Sequence, residues 1–147
     1  MYMRKTRNNF AVLLFIILAL TACSRDANKS IVEINGKEIE VEIADTPESR
    51  YNGLSNRDGL RADYGMLFVF EDKRERTFVM REMNFPLDII WIDGNTIIGI
   101  SENLPPEGKR YKNLYKSPAP VDYVLEVNAS FADKNNIKIG DTVNFSL

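Results

Sequence analysis

The chain has 147 residues, room for one domain, since compact domains usually hold about 100 to 200 residues. Hydrophobic residues make up 44% of it and charged residues 27%, the balance of a folded globular protein and not of a disordered or fibrous one. There is no histidine, which excludes Ser-His-Asp and Cys-His catalysis and most zinc sites, and a net charge of −2 argues against nucleic acid as a partner.

Arg4, Lys5 and Arg7 precede the unbroken apolar run Phe10 to Leu20, which closes on the small residues Thr21 and Ala22. A basic start, a short apolar stretch and a small-residue end predict a secretory signal peptide over residues 1–22. The run has 11 residues, whereas a helix needs about 20 to span a bilayer, so a permanent transmembrane anchor is the weaker reading. Leu20-Thr21-Ala22-Cys23 resembles the lipobox of bacterial lipoproteins, in which the cysteine becomes the lipidated first residue of the mature chain. Cys23 is the single cysteine, so no internal disulfide can form, and a free thiol outside the cell is open to oxidation unless acylated. Each buried methylene contributes about 0.8 kcal/mol, so several acyl chains hold a protein where one alone is marginal.

The resemblance therefore implies anchoring to a bacterial membrane on its extracytoplasmic side, in the periplasm or at the cell surface. Ser24 after the cysteine favours the outer over the inner membrane, by similarity to the sorting of lipoproteins in enteric bacteria. Removing residues 1–22 takes away three of the 19 basic residues and none of the 21 acidic ones, leaving a net charge of −5. Residues 23–30 read as a short lipidated tether, reaching roughly 20 Å if extended at about 3.3 Å per residue.

From Ile31 onward the pattern is that of strands, and residues 31–147 are expected to form a single β-rich domain. Ile39, Val41 and Ile43 fall on one face and Glu38, Glu40 and Glu42 on the other, a half-buried strand. Asn35-Gly36 supplies the positive φ of a tight turn and joins it to Ile31–Ile34 as a hairpin. Thr46-Pro47 has the form of an N-cap and first helical residue, predicting a short helix from Pro47 to about Asn52, closed by Gly53. Met66 to Phe70 and Arg76 to Met83 read as strands on either side of a charged turn, Glu71 to Glu75. Leu87 to Ile92 carries large side chains on both faces and is predicted to be a central strand. Asp93-Gly94-Asn95 turns it into Thr96 to Ile100. Leu104 to Pro120, with four of the six prolines, reads as a long loop. Val121 to Val127 is a further strand, Ser130 to Asn135 a helical turn, and Thr142 to Phe145 a last strand. About seven to eight short strands with one or two short helices predict an all-β, compact β-sandwich or barrel-like domain.

No glycine-rich phosphate loop or dinucleotide fingerprint is present, so neither a nucleotide cofactor nor any other is predicted. The chemistry-bearing residues are Asp88 and Glu126 on apolar strands, with Arg57 and Arg81. Two carboxylates across a cleft, separated by about 5 to 9.5 Å, would serve acid–base cleavage of a glycosidic bond. Against this, Asp88 reads as a carboxylate capping backbone amides after Pro86-Leu87, and Glu126 as an outward residue or ion-pair partner. Met66, Met80 and Met83 offer thioethers suited to Cu(I), but extended geometry sends positions three apart to opposite faces, so core packing is expected and no metal site is predicted. Trp91 is expected in the core, while Tyr111 and Tyr115, in the proline-rich loop, are left open as stacking residues.

The stretches Glu42-Ile43-Ala44-Asp45-Thr46-Pro47, Gly53-Leu54-Ser55 with Arg57, Gly65-Met66-Leu67-Phe68-Val69-Phe70, Phe78-Val79-Met80-Arg81, Pro86-Leu87-Asp88-Ile89-Ile90 and Tyr123-Val124-Leu125-Glu126 resemble the bacterial and archaeal family called domain of unknown function 192. The resemblance runs from about Val41 to Val143. It implies a compact β-sandwich-like fold and carries no established activity. Val79 stands where many relatives have tryptophan, and Ser130 where glycine is usual. Taken together, the residues lead to the expectation of a membrane-anchored binding or interaction module of the cell envelope, without catalytic residues. Its expected pocket is lined by Arg57, Met80, Arg81, Asp88 and Glu126, with arginine recognising an anionic or hydroxylated group on an envelope ligand or protein. The alternative is a carboxylate-dependent hydrolase acting on envelope carbohydrate through Asp88 and Glu126.

Overall fold

The computed structural model describes residues 29–147. The predicted signal peptide, Cys23 and most of the tether lie outside the described residues. Strand β1 (Ile31–Ile34) pairs antiparallel with β2 (Lys37–Ala44) around Asn35 and Gly36, whose φ values of 53° and 77° are those the dipeptide was expected to supply. Helix α1 (Pro47–Asn52) starts where its cap predicts. Thr46 Oγ1 accepts from the Ser49 amide at 3.1 Å while Ser49 Oγ accepts from the Thr46 amide at 3.0 Å, so two otherwise orphaned donors are satisfied reciprocally. Gly53 ends the helix at φ 49°, ψ −134°, a backbone conformation that a side chain resists.

The crossover through α1 lays β3 (Tyr64–Arg74) parallel to β2, an arrangement that needs a connection of this length. Then come β4 (Thr77–Phe78), β5 (Leu87–Asp93), β6 (Thr96–Leu104), β7 (Tyr115–Lys116), β8 (Val121–Asn128), helix α2 (Phe131–Lys134) and β9 (Val143–Ser146). Seven strands form one sheet in the order β6-β5-β8-β3-β2-β1-β9, and β4 and β7 form a small ribbon. The large sheet curls until its edges meet: Thr96 bridges Thr142, the Ile97 amide donates to Asp141 O at 3.0 Å, and the Gly140 amide donates to Ile97 O at 2.8 Å. The result is all-β, as expected, and takes the form of a half-barrel with a covering layer.

Two cores follow from this curl. Val32, Ile34, Val41, Leu67, Ile90, Ile92, Leu125 and Val127 fill the concave side. Ala44, Leu54, Met66, Phe68, Met80, Leu87, Ile89, Trp91 and Val124 fill the other side, beneath α1 and the β4–β7 ribbon. Fully burying a side chain of this size contributes about 1.5 to 3 kcal/mol, so both layers are substantial. It also explains β5, where every residue from Leu87 to Ile92 is buried: the strand is covered on both faces and loses alternation.

Two expectations are corrected. The charged stretch Glu71 to Arg74 is not a turn but the exposed end of β3, where pairing with β8 shifts register between Val69 and Arg74. The predicted strand Arg76 to Met83 shrinks to Thr77–Phe78, because the proline-rich loop satisfies its backbone in place of a ladder: the Ser117 amide donates to Arg76 O, the Glu107 amide to Met80 O, and the Met83 amide to Glu107 O. Among the described residues, no helix is long and apolar enough to cross a membrane.

Candidate functional site

Alternation along β8 decides which side Glu126 takes. Val124 belongs to the core beneath α1 and Leu125 and Val127 to the concave core, so Glu126 points beneath α1, opposite Met66 of β3 and Ile89 of β5. It is 5% exposed and forms the floor of a pocket of about 470 Å³. Among the described residues none makes a hydrogen bond to its carboxyl. Burial in apolar surroundings pushes its pKa up to about 8, against a smaller opposing pull from the Arg57 guanidinium. At neutral pH the floor of the pocket is a carboxylic acid with a proton to donate.

Three arginines line the same pocket: Arg50, Arg76 and Arg81. Arg50 projects from α1 and donates to Asp45 O at 2.5 Å and Val69 O at 3.0 Å. Arg76 lies 3.8 Å above the Phe70 ring and pairs with Asp72. Arg81 donates to Tyr51 O at 2.8 Å and stacks 4.0 Å from the Tyr51 ring. Its Nε is 3.9 Å from a Glu82 carboxylate oxygen, beyond hydrogen-bond reach. The Nε groups of Arg76 and Arg81 are buried without a hydrogen-bond partner among the described residues. Leu54, Phe68, Phe78 and Met83 supply the apolar wall. Behind it, Phe78 bridges Phe68 and Trp91 edge-on at 4.8 and 5.6 Å, which fixes the wall against the core.

The loops that carry these groups are stitched together. Ser55 Oγ donates to Arg81 O at 2.9 Å, the Asn56 amide to Glu82 O at 2.8 Å, and Asn84 Nδ2 to Arg57 O at 2.9 Å. Asn56 and Glu82 both hold left-handed backbones, with φ 62° and 54°. Such conformations cost about 1 kcal/mol or more outside glycine and persist only where neighbours enforce them.

Of the five expected pocket residues, the structure brings Glu126 and Arg81 to the pocket lining. Arg57 stands just outside, within electrostatic reach of Glu126, and makes paired hydrogen bonds of 2.8 and 2.9 Å to Glu42. Met80 is core, not lining. Asp88 lies on the opposite face from Glu126, since its cross-strand partner on β8 is Val127. It is fully buried and accepts from the backbone amides of Asn103, Ser130 and Ala132 at 2.8, 3.1 and 3.0 Å. That is the capping role, and it removes the acid–base pair on which the hydrolase alternative depended. Ser130 sits at φ 63°, a left-handed backbone that glycine would adopt without strain.

Arg50, Arg76, Tyr51 and Phe70 were missed. No local signal marks Arg50, since α1 has no buried residue whose spacing would define an inward face. Trp91 is core and Tyr115 packs against the same layer, while Tyr111 is exposed. Among the described residues, no cluster of three or more Asp, Glu, Cys or His is placed to hold a metal.

A family model described as an uncharacterized ACR, domain of unknown function 192, matches residues 30–145. The chain belongs to that family. Its fold is similar to that of a solved putative transcription regulator from Sinorhizobium meliloti, at 32% identity and a TM-score of 0.74, covering 80% of this chain and 94% of that one. It is also similar to a solved protein of unknown function from Novosphingobium aromaticivorans, at 29% identity and a TM-score of 0.72, covering 78% and 83%. No curated protein matches the chain.

Proposed function

We propose that this member of the domain of unknown function 192 family is a lipid-anchored, extracytoplasmic binding domain. Its pocket beneath α1 takes a small ligand bearing an anionic or hydroxylated group. The observation that carries this reading is Glu126: a carboxyl at the pocket floor, 5% exposed and without a hydrogen-bond partner among the described residues, in a pocket that Arg50, Arg76 and Arg81 also line. In the same lining the Nε groups of Arg76 and Arg81 are buried and unpaired among the described residues; a polar group left so costs about 1 to 3 kcal/mol, and a binding site is where that cost is offset by a ligand. The signal-peptide and lipobox pattern around Cys23 supports placement of the domain on the outer side of a bacterial membrane.

The test is a thermal-shift screen of the purified full chain, in mild detergent, against envelope sugars, metal ions and small anions. A stabilising compound should lose its effect in Arg81→Met while that variant stays folded. Stabilisation unchanged in Arg81→Met places the ligand elsewhere and sinks the reading.

A further inference from the structure

We propose that the pocket selects an organic monoanion, a carboxylate carried on an apolar ring or chain, bound to the Glu126 carboxyl through an acid–carboxylate hydrogen bond. The proposal rests on the reading of this cavity as a ligand pocket and narrows its ligand.

Charge is the first ground for an anion. The lining holds three guanidinium groups and one exposed carboxylate, Glu75, in a chain whose net charge is negative. Arg50 donates to the carbonyls of Asp45 and Val69, and Arg81 to the carbonyl of Tyr51. Carbonyls orient a cation without cancelling its charge, and aromatic faces such as Phe70 and Tyr51 do the same. Arg76 is paired with Asp72 at 2.9 Å and Arg81 only loosely with Glu82 at 3.9 Å, while Arg50 has no carboxylate partner among the described residues.

Hydrogen-bond polarity is the second ground. Guanidinium groups only donate, and Glu126, kept neutral by burial, has a donor as well. A ligand that fits must be rich in acceptors. A neutral sugar would bring a donor with every hydroxyl and leave the positive charge uncompensated, whereas a carboxylate only accepts and carries the opposite charge. The third is shape: Leu54, Phe68, Phe78 and Met83 are apolar, and about 470 Å³ suits a small ring or chain.

Because Glu126 must keep its proton to share it with an anion, binding should weaken as pH rises through the range in which the free site ionises. The charged group that acts on Glu126 is Arg57 after α1, backed by Glu42 and Tyr64; Arg50 on α1, Arg81 with Glu82 on the following loop, and Glu75 and Arg76 before β4 are the charged groups of the surrounding lining and its edge. Its neighbours across the ladder, Met66 and Ile89, are apolar.

Benzoate and benzamide share shape and differ in charge, and methyl glucoside presents neutral hydroxyls. The full chain in mild detergent is titrated with each, with calorimetry for affinity and amide NMR for location. Benzoate is expected to shift the amides of Ser55, Phe78 and Arg81, and to bind roughly tenfold or more tightly than benzamide. Its affinity should fall about fivefold or more between about pH 6.5 and about pH 9, a dependence that Glu126→Gln erases. Equal binding of benzamide or methyl glucoside at these residues, or a pH dependence that survives in Glu126→Gln, overturns the anion proposal while leaving the pocket standing. If no probe moves a pocket amide at about 10 mM, both the proposal and the pocket reading fall.

Discussion

The buried acid at the pocket floor should make the protein less stable at neutral pH than its neutral amide counterpart. In Glu126→Gln the side chain keeps its shape and cannot ionise. The ordinary glutamate value of 4.5 applies to the unfolded chain and about 8 to the folded one, so the folded state binds the proton more tightly. Below about pH 4.5 both states are protonated and the group contributes no difference. Between about pH 4.5 and 8 the unfolded chain releases a proton that the folded chain retains, so stability falls as pH rises; above about 8 the penalty is constant. A gap of roughly 3.5 units at about 1.4 kcal/mol each gives a penalty on the order of 5 kcal/mol at high pH and roughly 3 kcal/mol at pH 7. Urea unfolding followed through Trp91, the single tryptophan, measures both proteins across the pH series. Glu126→Gln should match the native protein near pH 4 and exceed it by about 2 to 4 kcal/mol near pH 7.5. A difference that is absent or independent of pH would show that Glu126 is not held neutral by burial.

Other substitutions probe the frame. Asp88→Ala strands three amide donors, that of Ala132 buried and those of Asn103 and Ser130 part-buried, and should cost about 3 kcal/mol or more, whereas Asp88→Asn, which can keep the two bonds made to Oδ1, should cost about half, both read by urea midpoints. Neither should change pocket affinity at temperatures where the variant is folded. A Cβ at position 65 would lie 2.8 Å from the Glu126 carbonyl oxygen, so Gly65→Ala should destabilise by about 2 to 3 kcal/mol through a forced separation of β3 and β8. Cys23→Ala, expressed as the full chain in a bacterial host, should shift the protein from the membrane fraction to the soluble one; retention in the membrane would refute acylation at that thiol.

Much of the fold was legible because the cues were local. Asn35-Gly36 and Gly94-Asn95 demand turns whatever surrounds them, and Thr46, Pro47 and Gly53 bound a helix by capping alone. The misread segment, Arg76 to Met83, had the composition of a strand, but its partner was an irregular loop some thirty residues further on, and no period records such a pairing. The site was half legible for the same reason. Glu126 and Arg81 stood out as charged residues in apolar surroundings. Asp88 looked identical by that criterion, and only the two-residue period, counted against β8, separates its face from that of Glu126. Arg50 and Arg76 carried no local mark, because what makes them pocket residues is the curl of β3 bringing Phe70 between them.

The most direct test of the central claim is the titration of Glu126 itself, followed by the NMR signal of its side-chain carboxyl carbon in the full-length protein. A midpoint near 8, moving higher when benzoate is added, is the predicted outcome. A midpoint near the ordinary 4.5, unmoved by any anion, would mean that the pocket floor is a solvated carboxylate and that the account of the site is wrong.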